Sequence, residues 1–503
     1  MSIPEPTIRL RPASKIEKRF TMRHALDWYR GLIIAGLYTV DKNFAFDTRR
    51  ITSYIPALKW CIKCHPFLSA AIDGSHGESP VFARPAKLDL THHIQIVDPE
   101  SNAYKSAVDE LELFRKVALE THDQPWADTE RIPPWKIVVL PLPDLATSTQ
   151  KRVYIIYSYS HTHGDAKSAL AFHRTFLQGL QTQIIDDSNQ NLIYEPPSSP
   201  LPLPLEEACK LKISWSFLLA PVLAQYLPNI ICRLLRIQVA ANQLSIERAY
   251  TGEITRYDKD NLHTASQILI VQQNLVAKLL AVCKSHNSKL TGLLNRLIVH
   301  ALSELLPAES GNEFLGQIVV DLRSHIPAYA NGMTMGNFVS VAYDTSPKIT
   351  LDPDSGKYDE TFWNAVRGTT TRLAAVAGTL DDQPIGLLKY LSNFRSWFIG
   401  QLGKKRDSSY EISNIGVFDP ILPNDTNTAG SSTWAIERAI FSQPANVLGS
   451  PLNFQVVTMK GGDMVITLNW QVGVMGVPDE DGFAKAVLGY IDNGMSEIAS
   501  ISL

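Results

Sequence analysis

The clearest pattern of apolar and polar positions lies in residues 152–184, where a strand, a short turn and a helix follow one another. Residues 153–159 are uncharged and rich in β-branched and aromatic side chains, which is typical of a strand buried on both faces. The turn SHTHG follows, and from Asp165 onward apolar residues recur at spacings of three and four. This periodicity predicts a helix with Asp165 near its N-cap. We therefore expect a strand-to-helix turn that holds polar side chains over a pocket.

The rest of the first half also alternates between helical and strand patterns. Helices are predicted within residues 18–40, where an apolar run follows, within 53–72, ending near the His-Pro pair, and within 114–126. Residues 80–98 alternate like a strand or hairpin. Residues 135–143 predict a buried strand that lies beside 152–160. These elements form one α/β half.

A linker separates this half from a second one. Residues 186–207 are rich in Pro, Ser and Asn, and the length of 503 residues suits two domains of roughly 200 to 250 residues each. We predict an N-terminal lobe at residues 1–190, a crossover at 191–250 and a C-terminal lobe at 251–503.

The second half repeats the alternation of helices and strands. Two helices are predicted within residues 266–306, one around 362–377 and one at the C-terminus, with strands at 316–327, 335–344 and 408–418, polar loops at 345–359 and 423–433, and two more strands within 451–471. Gly461 and Gly462 are expected to join the last two strands. The two halves look alike in architecture.

An apolar segment lies inside the predicted crossover. Residues 213–232 carry no charge over about the length that a bilayer span requires, and basic residues flank them. Pro221 and Pro228 would make a poor spanning helix. Three interpretations stay open: a spanning helix, a segment that lies on a membrane surface, and a crossover packed between the lobes. The composition favours the third.

Charge and composition exclude some functions. The chain has 47 Lys and Arg against 50 Asp and Glu, so no overall basic field attracts nucleic acid. Hydrophobic residues make up 45% of a chain that is therefore globular. The first twenty residues contain no apolar run of the kind that a secretory signal needs, so we expect a cytoplasmic protein.

Candidate metal ligands are few. Cys61 and Cys64 form a C-x-x-C pair in a segment with a helical pattern, and the chain offers no second pair at zinc-site spacing. We interpret both as cysteines of a helical core. His92 and His93 lack a partner at ligand spacing, and we expect a strand-edge role for them. The sequence predicts no metal site.

The turn at the end of the predicted strand offers better chemistry. His161 and Asp165 stand in the pattern H-x-x-x-D. A histidine at the end of a rigid strand is well placed as a general base, because its unperturbed pKa lies near neutral pH. The aspartate would orient the turn. Because the chain has 13 histidines, an aspartate four residues after one of them is expected by chance about as often as not. The significance of the pattern therefore depends on the rest of the chain.

The motifs HTHGD, VDLRSHIP, MGNFVS and SNIG occur in this order, with a His-Pro pair at the end of an early helix and a Pro-rich crossover. Together they resemble the chloramphenicol-acetyltransferase-like superfamily, which includes BAHD acyltransferases, peptide-synthetase condensation domains and fungal alcohol acetyltransferases. The likeness covers nearly the whole chain. PPWKIVVLP, LRSHIP and GNF are most similar to the fungal alcohol acetyltransferases, and the BAHD signature D-F-G-W-G is absent.

Two positions depart from the superfamily pattern. Ser160 precedes His161 where condensation domains usually carry a double histidine, which argues against a peptide-synthetase module. Ala166 follows Asp165 where the superfamily usually has glycine.

The resemblance implies an α/β (α+β) fold of two similar lobes, each a mixed β-sheet covered by helices, with a tunnel between them. The acyl thioester would enter from one face and the acceptor from the other. His161 would be the general base, with no covalent enzyme intermediate. Asp165 would be structural, turned away from the substrate and paired with Arg323. A solvated strand-end charge is the alternative for Arg323.

The expected activity is the transfer of an acetyl or longer acyl group from acyl-CoA to a hydroxyl or amine of a small, fairly apolar molecule, as in secondary metabolism. The oxyanion needs a hydrogen-bond donor, for which Ser413, Asn414 and Asn337 are candidates, although each could instead shape a turn. We expect a monomer with no bound cofactor.

Alternative functions stay open within the same fold. The donor could be a carrier-protein-bound thioester, as in condensation or chain-release enzymes, or the chain could bind a ligand without catalysis. A hydrolase is disfavoured, because neither G-x-S-x-G nor H-E-x-x-H occurs.

Overall fold

The computed structural model describes residues 7–100, 109–143, 148–182, 191–226, 248–349, 357–421 and 434–501. The strands in these residues are β1 (Thr7–Pro12), β2 (Gly31–Asp41), β3 (Ala71–Asp73), β4 (Val81–Pro85), β5 (Leu88–Asp89), β6 (Ile94–Ile96), β7 (Trp135–Pro141), β8 (Gln150–Ser160), β9 (Ile193–Tyr194), β10 (Thr264–Val271), β11 (Glu313–Asp321), β12 (Val339–Pro347), β13 (Tyr410–Phe418), β14 (Trp434–Ser442), β15 (Leu452–Met459) and β16 (Met464–Gln471). The helices are α1 (Lys15–Ala25), α2 (Ile55–Cys64), α3 (Glu110–Asp123), α4 (Ala166–Gln181), α5 (Leu205–Ala208), α6 (Trp215–Tyr226), α7 (Gln273–Ser285), α8 (Leu290–Leu305), α9 (Glu360–Ala377), α10 (Phe394–Ile399) and α11 (Glu480–Ile501).

The first lobe is built on a mixed five-stranded sheet in the order β14-β2-β8-β7-β6. Strand β8 lies in the middle, antiparallel to both neighbours, and from Val153 onward every residue of it is buried. Successive side chains point to opposite faces, so Tyr154 meets Phe114 of α3 and Tyr157 stacks on Phe172 of α4. The predicted strand buried on both faces, and its neighbour at 135–143, are confirmed.

The second lobe is built on a mixed six-stranded sheet in the order β10-β16-β15-β13-β11-β12. Strand β13 runs parallel to β11 and β15, and the other pairs are antiparallel. One face packs against α7, α8 and α11 in a core that includes Ile412, Phe454 and Leu468. Strands β15 and β16 form the predicted hairpin, whose turn contains Gly461 at φ +66°. The two sheet-rich lobes expected from the sequence are present.

The sheet of the first lobe takes its edge strand from the second half of the chain. Strand β14 pairs antiparallel with β2 along its length, with Trp434 opposite Val40 and Ser442 opposite Ile33. The sequence pattern did not predict this strand, and the predicted loop at 423–433 lies outside the described residues. The lobe boundaries at 190 and 250 stay a prediction.

Several local predictions need correction. Residues 80–98 do not form a hairpin, because β4 pairs with β1 and β3 whereas β6 pairs with β7. Alternation in such short strands shows which face is buried but not which strand is the partner. His93 has no strand-edge role: it is buried in a short 3₁₀ turn, stacks on Trp135 at 4.2 Å, and its ring hydrogen-bonds the Trp135 carbonyl.

The second half and the cysteine pair give mixed results. The two helices predicted within 266–306 are α7 and α8, but the unpredicted strand β10 precedes them. In α2, Cys61 is buried as expected, whereas Cys64 is exposed, because the helix ends at that residue. Within the described residues no cluster of three His, Cys, Asp or Glu side chains is arranged to hold a metal ion.

The apolar crossover segment is described in part. Helix α6 covers its first half, and residues 227–232 lie outside the described part of the chain. Trp215 at the start of α6 is 77% exposed, whereas Ala220 is buried. In the described ranges, no helix has both the length and the apolar character needed to cross a membrane. The interfacial and crossover interpretations stay predictions.

Candidate active site

The turn after β8 positions the candidate catalytic residues. Strand β8 ends at Ser160, the segment His161–His163 forms one 3₁₀ turn, and α4 begins at Ala166 with Asp165 as its N-cap. The Asp165 carboxylate accepts a hydrogen bond from the Ser168 N–H at 3.1 Å, so the predicted N-cap is confirmed. Ala166 adopts an ordinary helical conformation, which needs no glycine.

Asp165 and Arg323 form a buried bidentate ion pair between the lobes. Arg323 Nη2 donates to Asp165 Oδ1 at 2.7 Å and Nη1 to Oδ2 at 2.8 Å, and both side chains are about 2–3% exposed. Burial by itself would raise the pKa of Asp165, but the charge and hydrogen bonds of Arg323, with the N–H groups of Phe338 and Ser168, hold that pKa below its ordinary value. The Asp165 carboxylate therefore stays ionised and bonded to Arg323.

The GNF segment, residues 336–338, is hydrogen-bonded to the same turn. The Asp165 N–H donates to the Gly336 carbonyl at 3.1 Å, and the Gly336 N–H donates to Ser168 Oγ at 3.1 Å. Gly336 has φ +147°, and a Cβ there would lie 2.7 Å from the Phe338 ring, so this position requires glycine. Asn337 Nδ2 donates to the His161 carbonyl at 2.9 Å. The Asn337 amide thus holds the backbone of the turn.

The His161 ring is enclosed by aromatic side chains. It stacks on Phe20 with ring centroids 4.1 Å apart and lies near Tyr29 at 5.8 Å. Burial, and next the charge of Arg23, lower the pKa of His161 to about 4, although its own backbone carbonyl and Asp165 act in the opposite direction. The imidazole is therefore neutral at pH 7. Nδ1 is buried without a hydrogen-bond partner elsewhere in the described residues, and none of these residues hydrogen-bonds Nε2, so the neutral ring has a nitrogen that can accept a proton.

Helix α1 contributes residues that the sequence did not single out. Arg19, Phe20 and Arg23 lie within about one turn of this helix, which packs over the His161 turn. Arg23 stacks on the Tyr29 ring at 4.2 Å and donates to Asn446 Oδ1 at 2.9 Å. The sequence feature that could have identified them is the spacing of Arg19 and Arg23, which lie four residues apart on a helix with an N-cap and so share one face with Phe20 nearby.

The histidines near the turn are structural partners. The His24 ring hydrogen-bonds Ser160 Oγ at 3.0 Å, which ties α1 to the end of β8. His163, for which the sequence suggested no role, is buried, and its Nε2 hydrogen-bonds the Ala70 carbonyl at 2.6 Å. Both rings have a pKa lowered to about 4 by burial, so both are neutral.

The two SNIG candidates point in opposite directions. Asn414 Nδ2 donates to Thr291 Oγ1 of α8 at 3.0 Å, and its Oδ1 accepts from the Gly416 N–H at 2.9 Å. Asn414 thus shapes the register shift that β13 makes against β15. Ser413 is buried on the opposite face, together with Glu411. The structure therefore gathers His161, Asp165, Arg323 and Asn337 around one turn and directs the Asn414 side chain elsewhere.

Comparisons with known proteins agree with the two-lobed fold. Among solved structures, the chain is similar to the TRI3 trichothecene 15-O-acetyltransferase of Fusarium sporotrichioides, with a TM-score of 0.69, 12% identity and coverage of 98% of this chain and 95% of that one. It is also similar to VibH, a condensation enzyme, with a TM-score of 0.54, 13% identity and coverage of 97% and 96%. At these identities the likeness shows the fold, which is that of the chloramphenicol-acetyltransferase-like acyltransferases.

Sequence comparison narrows the class. The alcohol acetyltransferase family matches residues 89–479, and the chain belongs to this family. It is 23% identical over 480 residues to the protein named probable alcohol acetyltransferase FCK4 of Fusarium pseudograminearum, covering 93% of this chain and 91% of that one. It is 22% identical over 492 residues to the similarly named crmB of Aspergillus fumigatus, covering 94% and 96%. The resemblance stated from the motifs is confirmed.

The ion pair gives the first testable prediction. In Asp165→Asn, Arg323 would remain buried without its counter-charge, so we expect a loss of about 3–5 kcal/mol in the free energy of unfolding, measured with denaturant. Because the pKa of Asp165 is lowered in the folded state, its contribution is present above the ordinary carboxyl pKa and is lost as the pH falls through the folded value. The difference from the parent should therefore shrink in acid.

The matched control is Asp419→Asn, which removes an exposed ion pair with Lys460. That change should cost at most about 1 kcal/mol. Equal stability of Asp165→Asn and the parent would show that the buried pair does not hold the lobes together.

Proposed function

We propose that the protein transfers an acyl group, acetyl or longer, from acyl-CoA to a hydroxyl or amine of a small molecule, with His161 as the general base. Membership of the alcohol acetyltransferase family supports acyl transfer. The observation that carries the assignment of the base is a neutral imidazole whose side chain makes no hydrogen bond to another described residue. A base must be unprotonated and unoccupied before it can take a proton.

The proposed reaction is a direct transfer. His161 Nε2 takes the proton of the acceptor O–H while the oxygen attacks the thioester carbonyl, which forms a tetrahedral oxyanion. The intermediate collapses as the C–S bond breaks, and the thiolate takes the proton from His161 and leaves as free CoA thiol. No covalent bond to the enzyme forms at any step, and the imidazole returns to its neutral state.

Other side chains would position and stabilise these species. Asp165 acts through Arg323 on the geometry of the turn, and Asn337 holds the carbonyl of His161. Ser413 is our preferred oxyanion donor, because its face of β13 also carries Glu411, which lies within electrostatic range of Arg23 beside His161. Asn414 is less suitable, since its amide bonds to α8.

His161→Ala tests the base directly. We expect transfer from acetyl-CoA to fall by about 100-fold or more, because general-base catalysis contributes about this much. Thiol release, followed with a chromogenic reagent over a panel of alcohols and amines, measures the rate. His92→Ala removes an exposed histidine and serves as the control. Undiminished turnover by a folded His161→Ala would reject the assignment, and thioester cleavage only with a carrier-bound donor would favour the condensation alternative.

The pH dependence follows from the lowered pKa of His161. With a pKa of about 4, the base is unprotonated at neutral pH, so kcat/KM should be level between about pH 6 and pH 8 and fall as acid protonates the ring. Arg23→Gln removes a nearby positive charge and should move the acid limb to higher pH. A limb near pH 7 in the parent, or no movement in the variant, would contradict the electrostatic account.

Alanine variants of Ser413 and Asn414 distinguish a catalytic role from a structural one. Ser413→Ala should lower kcat by about 100-fold if its hydroxyl stabilises the oxyanion. Asn414→Ala should mainly lower the free energy of unfolding, by about 1 kcal/mol, because it removes the partners of the partly buried Thr291 hydroxyl and Gly416 N–H. Steady-state kinetics and denaturant unfolding of both variants decide the matter. The reverse pattern would move the oxyanion role to Asn414.

A further inference from the structure

The second sheet carries a row of polar side chains on the face that is turned toward the first lobe. On this face Thr467 donates to the Phe441 carbonyl of β14. The strand register places six polar residues side by side across the whole sheet: Tyr343, Gln317, Glu411, Asn453, Asn469 and Ser266. The helix-covered face of the same strands is apolar. A polar row between two packed layers is costly unless each group has a partner.

One end of this row is satisfied within the protein. Asn469 Nδ2 donates to Ser442 Oγ at 2.9 Å, and Asn453 Nδ2 donates to the Ser450 carbonyl at 3.0 Å. Both asparagines are buried, with exposures of 1% and 3%. The bond of Asn469 to Ser442 joins the second sheet to the end of β14, and the two bonds satisfy the amide nitrogens of both asparagines.

The other end of the row is less deeply buried. Tyr343, Gln317 and Glu411 are only partly buried, as is Asp407, which lies in the segment before β13. Yet burial raises the pKa of Glu411, Asp407 and Tyr343, so the surrounding protein strongly reduces their hydration. Side chains that are partly accessible and yet poorly hydrated are the lining expected of a recess between packed elements, not of open surface.

Helix α1 contributes two arginines to the surroundings of these side chains. Arg19 and Arg23 interact electrostatically with Asp407 and Glu411. None of the ion pairs within 4.0 Å in the described residues includes any of these four side chains. The Arg19 guanidinium has no hydrogen bond to a described residue, and Arg23 has one, to Asn446. Two arginines and two carboxyls thus lie within electrostatic range of one another without a direct ion pair among the described residues.

The two arginines lie near the proposed base. Phe20, which lies between the two arginines on α1, stacks on the His161 ring. The charge of Arg23 acts on His161 and on Glu411 alike, so both groups lie within electrostatic range of this arginine. We call Arg19, Arg23, Asp407 and Glu411 the polar set. A molecule that presents one group to His161 Nε2 would therefore present its neighbouring groups to the polar set.

We propose that the acceptor is an uncharged molecule with several hydroxyls, of which one is acylated at His161 and others bridge Arg19 and Arg23 to Asp407 and Glu411. This inference rests on the proposed acyl transfer and replaces the apolar acceptor expected from the sequence. A hydroxyl accepts from a guanidinium and donates to a carboxylate at once. Among the described residues, Arg23, Glu411 and Asp407 each have one side-chain hydrogen-bond partner, namely Asn446, Gln443 and Ser408, and the Arg19 guanidinium has none. A monohydroxylic apolar acceptor would leave the remaining hydrogen-bonding capacity of these groups unused, and a charged acceptor would match only one sign.

The test compares two acceptors that differ in hydroxyl number, hexan-1-ol and hexane-1,2,6-triol, with acetyl-CoA as donor at about pH 8, where His161 is neutral. The wild-type kcat/KM should favour the triol by about tenfold or more, because a site built to hydrogen-bond hydroxyls discriminates against analogues that lack them. In Arg19→Leu and Glu411→Gln the ratio of the two kcat/KM values should fall to about one, mainly through a raised KM for the triol.

Exposed residues of the same types provide matched controls. Arg9→Leu and Glu437→Gln should keep the wild-type preference, because both side chains lie at the surface. Triol binding is measured separately, as the rise in the melting temperature of the wild type and of Arg19→Leu when the triol is added. This measurement detects binding even if the reaction is slow. Binding by the wild type that is lost in Arg19→Leu supports the inference even without turnover.

Several outcomes would overturn the inference while leaving acyl transfer intact. These are equal use of the two alcohols by the wild type, an unchanged preference in both variants, or variants that raise the KM of acetyl-CoA and not that of the triol. The last result would assign the polar set to the donor. Absence of thiol release with every alcohol, together with triol binding, would instead reject the proposed reaction and keep the polyol site.

Discussion

The buried pair of Asp165 and Arg323 is the constraint on which the rest of the site depends. It joins the first turn of α4, in one lobe, to the end of β11, in the other. Such a pair adds little net stability over an apolar contact, but its bidentate geometry permits one arrangement of the two segments. Gly336 and Asn337 then meet the same turn through hydrogen bonds. The backbone of His161 is therefore held by the second lobe, although the residue belongs to the first.

The electrostatics around His161 combine two opposed effects. Burial beside Arg23 keeps the imidazole neutral, which makes it available as a base but also a weak one. The carboxyls of Asp407 and Glu411 lie beyond the arginines and have a raised pKa, because burial disfavours their charged form. The basicity of His161 is thus set by its burial and by the charges of Arg23, Asp165 and Arg19 around it.

The parts of the fold that could be predicted are those encoded locally. The buried strand β8, the N-cap at Asp165 and the glycine hairpin of β15 and β16 each depend on a few adjacent residues, so periodicity and turn chemistry identify them. Arg323 was assigned through motif resemblance. The roles of α1 and β14 depend on contacts between distant parts of the chain, which one sequence does not reveal. Strand alternation alone, however, could have shown that Ser413 and Asn414, as neighbours in one strand, point to opposite faces of the sheet.

Strand β14 has a consequence for how the molecule is made. Strand β2, at residues 31–41, is hydrogen-bonded on one side only until residues 434–442 arrive to pair with it. Throughout synthesis of the intervening chain, the first sheet therefore keeps a long apolar edge open, and such edges are sites of misassociation. The order of the strands makes completion of the first lobe one of the last folding events. A ribosome-bound intermediate of this protein would be a natural client for chaperones that cover exposed strand edges.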